Sequence, residues 1–447
     1  MAPQHPPGAL SPSFVEALSD EARWHRQIDR LAARARGRRL ESLLQDGVRF
    51  AQIVEERERV VSLLRAATKD ASYRPGVAWL TRVQIGGKER EIARIGALDL
   101  VVHAVVAEIL AERIEPHLSP YLYSYRRGRS PWQALRLLAR VAGSHSAARP
   151  DPRARGLYVL RSDIKSYTDS IPIGDDALLW RELQEALGLA ATDPHFTMTR
   201  ALLPPALWQE DAAPGSRERG LLFGAPTTNV AGNVHLMELD EALGARPGAY
   251  ARFGDDVLYA HADPDLVREA RSLLEAILAR RGLEPNRKKL RILYWNGAAR
   301  PAPGWPEALG VRDLPFLGAA VRFDGTIGLS SAKWTSLLRE LHARIERTSR
   351  LLLADSPKTR AKILASVVND AFDVRSELCV REATLVIDLV SDRAQLAQLD
   401  YWVARWIAEA ATRRHGPRAF RAVPWWWLRR SAKLASRVVA RNGLHER

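Results

Sequence analysis

Cysteine is almost missing from this chain of 447 residues: Cys379 stands alone, so no disulfide closes within one chain and no cysteine-based zinc site can be assembled. No apolar run approaches the roughly 20 residues that a membrane-spanning helix needs. The Pro-rich stretch Met1 to Ser13 lacks the apolar core of a secretory leader. These absences lead to the expectation of a soluble, cytoplasmic protein with no membrane partner. Acidic residues are in deficit, 52 against 67 Lys and Arg, which leaves a formal charge of +15 and a pI near 10.2. Such a field concentrates polyanions and disfavours acidic partners, and nucleic acid is the simplest of them. An Arg-rich, Ala-rich composition can also be basic without a function, so charge by itself selects none. What is present in quantity is hydrophobic residues, at 46%, enough for roughly two to four packed units.

Read along the chain, 1–13 is expected to be disordered and 14–80 to be a helical extension, with Ile28, Leu31 and Ala32 on one face. The run VQIGGKEREIARI from Val83 alternates around a Gly-Gly pair, which predicts a β-hairpin with Lys88 and Arg90 near its tip. A helix from Ala97 to about Ile114 follows, then loop composition from Gly143 to Gly156 and a strand over LYVLRSDI. AYARFGDDVLYAHA from Ala249 reads as two strands around a tight Gly-Asp turn. Asp263 and Pro264 open a helix that Gly282 stops. Beyond a β segment around LPFLGAAVRF, every long segment from Leu329 onward is helical. Its first helix has Ser330 or Ser331 as cap and Trp334, Leu338, Leu341 and Ile345 on one face. Three consecutive tryptophans in PWWWLRRSAKLASRVV cannot all point one way on a helix.

Two acidic sites carry the chemistry. Asp163 ends a strand, and Asp255 with Asp256 occupies a hairpin turn, so neighbouring strands would bring all three together. Carboxylates are hard oxygen ligands that suit magnesium, and two such ions roughly 4 Å apart can activate a hydroxyl and neutralise a leaving pyrophosphate. An isolated Asp-Asp pair is more often a solvated turn; the surrounding residues change that reading.

From about Val83 to Gly325 the chain resembles the bacterial reverse transcriptases, a family that includes group II intron, retron and defence-associated enzymes. DIKSYTDSI from Asp163 and RFGDDVLYA from Arg252 look like that family's two catalytic motifs. GLLFGAPTTNVAGNVHLMELD from Gly220 is similar to its nucleotide-supporting loop and helix. GLEPNRKKLRI resembles its lysine motif, FLGAAV its primer grip, and PYLYSYRRGRSPWQAL its finger segment. The resemblance implies an α+β right-hand polymerase: fingers and an antiparallel, ferredoxin-like palm over 81–328, a helical thumb over 329–395, and a helical extension over 396–447. It implies two Mg2+ ions, with Mn2+ as an alternative, held by Asp163, Asp255, Asp256 and the carbonyl of Ile164, with Lys289 as proton donor to pyrophosphate. Lys88 and Arg90 would hold the triphosphate, and Tyr167, Thr168, Phe223 and Gly224 would line the nucleotide site. Arg126, Arg127 and Arg129, beside Tyr123 and Tyr125, would contact template phosphates and bases, as would Phe316, Leu317 and Gly318. His103 and His235 fit apolar helical patterns and are expected to be packed or capping residues.

Two positions depart from the family. Where it usually has a bulky aromatic residue five places after the first aspartate, this chain has Thr168, and where it commonly has Gln, this chain has Phe223. Either Phe223 takes over sugar exclusion or sugar choice is relaxed. The implied activity is RNA-directed DNA synthesis from dNTPs, giving a DNA product, most like the defence-associated members. An RNA template, a structured noncoding RNA, and a homo-oligomer or second subunit are the implied partners. Template-independent or protein-primed synthesis, and a non-catalytic RNA-binding scaffold, stay open as alternatives.

Overall fold

The computed structural model describes residues 13–35, 47–85, 88–148, 156–203, 207–209, 212–215, 218–221, 223–352, 356–373, 376, 379–380, 386 and 389–437. The expectation of disorder falls almost wholly on 1–12, outside the described residues. Helix and sheet are mixed, and the chain separates into two compact units that interleave along the sequence. Met1–Ser130, Leu160–Tyr259 and Asp265–Leu290 form the first, while Pro131–Val159, Ala260–Pro264 and Arg291–Arg447 form the second.

Among its described residues the first unit opens with the helices Phe14–Ser19, Glu21–Ala35, Phe50–Glu55 and Arg57–Lys69. Ser13 and Glu16 close a capping box at the first of them, satisfying two otherwise orphaned N–H groups. The helix Ala97–Ile114, ALDLVVHAVVAEILAERI, is buried on nearly every face, as its almost continuous apolar sequence requires. Its acidic residues reach partners: Arg23 donates to Glu108 at 3.0 Å and to Glu112 at 2.9 Å, and Asp99 accepts from the Tyr73 hydroxyl and the Gly76 N–H.

Strands β1 (Ala78–Ile85) and β2 (Lys88–Arg94) pair antiparallel with Ile85 opposite Lys88, the hairpin that VQIGGKEREIARI predicts. Gly86 and Gly87 lie outside the described residues. Then come β3 (Leu157–Asp163), β4 (Leu207–Gln209) and β5 (Ala212–Gly215), the last two not anticipated from sequence. Strand β4 runs parallel to β1 and antiparallel to β5, so this sheet is mixed rather than antiparallel throughout. Strands β6 (Ala249–Phe253) and β7 (Asp256–His261) flank the Gly254-Asp255 turn, and β7 lies beside the carboxyl half of β3. Gly254 takes φ +63°, a conformation glycine adopts without steric cost.

In the second unit, β8 (Arg291–Trp295) and β9 (Leu309–Val311) run parallel, again a departure from a purely antiparallel palm. Tyr158 packs its ring 4.9 Å from Tyr294 and 5.9 Å from Trp305. Strands β10 (Asp313–Phe316), β11 (Ala319–Arg322) and β12 (Ile327–Leu329) form an antiparallel meander. Leu317 and Gly318 connect the first two with φ of +47° and +84°. Positive φ at both central residues is the signature of a type I′ hairpin turn. Helices Ser331–Leu351, Pro357–Phe372, Arg393–Thr412, Pro417–Ala422 and Trp425–Arg430 follow. Ser330 is the first helix's N-cap but makes no side-chain capping bond there. The buried stripe of that helix is Leu337, Leu341 and Ile345, with Trp334 and Leu338 only half-buried at its edge. The three tryptophans do diverge: Trp427 is buried and Trp426 is 61% exposed. Among the described residues no helix is long and apolar enough to cross a membrane.

Beneath the β6–β7 turn the first unit buries an ion pair. Arg252 grips Asp240 through two bonds of 2.7 and 2.6 Å, and Tyr250 donates its hydroxyl to the same carboxylate at 2.7 Å. Both charged side chains are at most 1% exposed. Burial works against the Arg252 charge, but Asp240 outweighs it and holds the guanidinium firmly protonated. The third nitrogen of Arg252 donates to the Gly254 carbonyl at 3.0 Å, tying the pair to the turn. Removing one partner of such a pair strands the other charge out of water, which costs about 3–5 kcal/mol. Arg252→Met should therefore lower unfolding stability by about that amount in urea titration, and Arg252→Lys, which loses the two-pronged geometry, should recover only part of it.

Candidate active site

Backbone bonds, rather than side chains alone, bring the first aspartate to the turn. The Ile164 N–H donates to the Asp255 carbonyl at 3.2 Å, while the Asp163 carbonyl accepts from the Asn286 N–H at 2.7 Å. Lys165 donates to the Glu284 carbonyl at 2.9 Å. The end of β3 is thus pinned between the Asp255 turn and the segment after Gly282. On the far side of the turn, Ser124 Oγ accepts from the Gly254 N–H at 2.8 Å, and the Arg252 backbone pairs with Tyr121 and Tyr123 at 3.0 Å each.

Asp163, Ile164 and Asp255 line one cavity of about 540 Å³. Thr168, Phe223 and Lys289 line it too, so residues from four separate sequence motifs converge. Tyr167 reaches the same cavity, but its hydroxyl donates to the Gly232 carbonyl, and burial pushes that hydroxyl's pKa up, so its polar end serves the fold. A Cβ on Gly232 would stand 3.3 Å from the Tyr167 ring, which is why the helix Pro226–His235 carries glycine there. Gly224, at φ +108°, is exposed, would set an added Cβ 3.5 Å from Ile92 of β2, and does not line the cavity.

The charges in the cavity are crowded. Asp163 is 8% exposed, and both its oxygens are engaged: Asn286 donates at 3.0 Å and the Lys289 ammonium forms an ion pair with the other oxygen. Burial, and then the neighbouring Asp255 carboxylate, push the Asp256 carboxyl up to about 6. The oxygens of the three aspartates are not all within 4.8 Å of one another. The group that meets that spacing among the described residues is the exposed set Glu21, His25 and Glu58, where Glu21 also pairs with Arg65.

Other sequence-predicted residues fall elsewhere. Arg126, expected on nucleic acid, is spent inside the protein: its guanidinium bonds Glu115 at 2.6 Å and the carbonyls of Ser119 and Leu122 at 2.6 and 3.1 Å. This corrects the expectation of a template contact, because only 5% of that side chain reaches solvent. Arg127 is exposed, and Arg129 lies 6.0 Å from the Tyr123 ring centre. The side chains of Lys88 and Arg90 lie outside the described residues; Glu89 between them lines the cavity. Phe316 is buried in the second unit, with Leu317 and Gly318 forming the turn described above. His103 and His235 are packed: the first meets the Thr227 hydroxyl at 2.7 Å, the second the Arg281 carbonyl at 3.2 Å. Asn286 and Glu89 reach the cavity without having been singled out as site residues, and Asp169 and Tyr125 line it too. Asn286 was legible in principle, three places before Lys289 in the lysine motif.

No protein-family model matches the chain, and no curated protein matches it. Among solved structures, telomerase from Candida albicans in complex with a TWJ fragment of telomeric RNA is similar at TM-score 0.45 and 13% identity, over 84% of this chain and 66% of that one. Apo telomerase from Candida tropicalis is similar at TM-score 0.45 and 10% identity, over 81% and 67%. Its form truncated from the C-terminal domain is similar at 0.42 and 11%, over 59% and 58%. This chain thus spans about two thirds or less of those chains' length.

The raised Asp256 carboxyl has a pH consequence. Between its ordinary value of 3.8 and about 6, the folded protein keeps a proton that the unfolded chain has released. Folding stability therefore falls as pH rises through that window, and the penalty is fully present above it. Asp256→Asn removes the penalty. With chelator present, the variant should melt higher than the parent at pH 7, by on the order of 1–3 kcal/mol in stability, and the gap should close below pH 4. Equal melting of the two proteins at pH 7 contradicts this account.

Proposed function

We propose that the chain is a metal-dependent, RNA-directed DNA polymerase of the reverse-transcriptase type. The observation that carries the reading is the convergence of Asp163, Asp255, Thr168, Phe223 and Lys289 on one cavity from four motifs distant in sequence. The donor set fits a hard divalent cation: carboxylates at a strand end and in the facing turn, one of them pushed up to about 6 by burial and by its neighbour's negative charge. Asp163, Asp255 and Asp256, with the Ile164 carbonyl, would hold Mg2+ or Mn2+. When bound, those ions would supply Lewis-acid activation of the primer hydroxyl and charge neutralisation at the leaving pyrophosphate. The chain's own residues do the rest. Asn286 orients Asp163. Lys289, now paired with Asp163, would be released as positive charge arrives there and turn to the phosphates, where its ammonium can donate a proton or bind charge. Phe223 and Thr168 face the same space and would set sugar choice between them, with Lys88 and Arg90 of β2 holding the triphosphate.

The finer assignment rests on the motif resemblance: a bacterial enzyme acting in antiphage defence, with a structured noncoding RNA as partner and a DNA product. Replacing both Asp255 and Asp256 with Ala should reduce dNTP incorporation on a primed RNA template to background, with circular dichroism and RNA affinity unchanged. Synthesis by that purified double variant overturns the assignment, and intact RNA binding with no synthesis in the parent leaves the scaffold reading instead. For sugar choice, the parent should prefer dNTPs over rNTPs and Phe223→Ala should narrow that preference by about tenfold or more. Equal use of both sugars by the parent sinks the idea that Phe223 compensates for Thr168.

A further inference from the structure

The carboxyl-terminal helices carry an aromatic array that the polymerase reading does not use. On the helix Arg393–Thr412, Trp402 and Trp406 are one turn apart with ring centres 5.8 Å from each other and planes 29° apart. Tyr401 extends the row, 5.7 Å from Trp402, and is 52% exposed. His342 of the neighbouring helix Ser331–Leu351 sets its ring 4.9 Å from Trp406. The Arg405 guanidinium lies 5.4 Å from the Trp402 ring centre and pairs with Glu409 at 3.0 Å, its side chain 34% exposed. The opposite face of the same helix is where its core lies: Leu396, Leu399, Val403, Ala404 and Ile407 are buried, whereas Tyr401 is exposed and Trp402, Arg405 and Trp406 are half-buried. Trp402, Trp406 and His342 also pack on one another between the two helices, which leaves the edges of those rings and the Tyr401 ring at the surface.

Charge narrows the partner. Residues 331–437 contain twenty Lys and Arg against eleven Asp and Glu, nine of the chain's fifteen net positive charges in under a quarter of its length. Partly exposed rings beside a guanidinium, in a strongly basic segment, match the combination that binds single-stranded nucleic acid, where bases stack on aromatic faces and cations track the backbone. Unpaired bases are the ordinary state of RNA loops and bulges, whereas cellular DNA keeps its bases in the duplex. We propose that Tyr401, Trp402, Trp406 and His342, with Arg405, form a docking surface for an unpaired stretch of RNA. The proposal requires no catalysis and stands or falls apart from the Asp255 assignment.

The test is fluorescence anisotropy of the full chain, and of its Asp255→Ala/Asp256→Ala variant, with three labelled probes: an unstructured 15-nucleotide RNA, the DNA of the same sequence, and an RNA duplex. Tryptophan emission is read in parallel, because stacked bases quench it. The expected result is tightest binding to the unpaired RNA with quenching, and a loss of about tenfold or more in Tyr401→Ala/Trp402→Leu. Arg405→Gln should weaken binding and flatten its salt dependence. Circular dichroism checks the fold, and if the double variant unfolds, Tyr401→Ala alone decides, since that ring is half exposed. Parent-like RNA affinity in the folded variants overturns the proposal. So does preference for duplex or for DNA, or a dimer seen by light scattering that these substitutions dissolve, which would make the face a contact between copies.

Discussion

The buried pair of Arg252 and Asp240 is the constraint on which the candidate site depends. A carboxylate turn between two strands is floppy and self-repelling unless something cationic and rigid sits beneath it. Arg252 meets that need from inside β6: two of its nitrogens satisfy Asp240, and the third takes the carbonyl of Gly254, one residue before the aspartates. The same residue's backbone pairs with Tyr121 and Tyr123, and Ser124 closes on the Gly254 N–H. The turn is therefore held from below and from one side, and the end of β3 holds it from the other through Ile164.

Once the turn is fixed, its negative charges must be tolerated. The protein does this in two ways. Lys289 and Asn286 take up the oxygens of Asp163, while Asp256 is kept partly neutral by burial beside Asp255. Such an arrangement is costly to the fold, and an incoming positive charge would remove both the repulsion and the proton. The cost to folding stability is concentrated within a few residues.

The unit division and the placement of arginines show why local reading falls short in places. Arg126, Arg127 and Arg129 look alike in sequence, yet the first is folded onto Glu115 and two carbonyls and the second is exposed. Which guanidinium is consumed internally depends on how the chain from Glu115 to Leu122 folds back to offer a carboxylate and two carbonyls, and no periodicity encodes that. Likewise β4 and β5 are too short to announce themselves; β4 acquires strand geometry by pairing with β1. The stripe of the helix Ser331–Leu351 shifts from Leu338 to Leu337 for a similar reason, since either leucine continues the apolar pattern and the neighbouring helices choose between them.

The sequence by itself determined the elements whose signals are local. The helix Ala97–Ile114 follows from a continuous apolar run, the β6–β7 hairpin from Gly254 between alternating residues, and the hairpin of β1 and β2 from a Gly-Gly pair. It also marked Asp163, Asp255 and Asp256, because short motifs carry their chemistry in adjacent residues. Tertiary structure alone decided what surrounds them: Asn286 on Asp163, the ion pair under the turn, and the meeting of Thr168 with Phe223 across one cavity. Those contacts join residues from 12 to 123 positions apart, and burial, charge compensation and backbone pairing select them only when the whole unit closes.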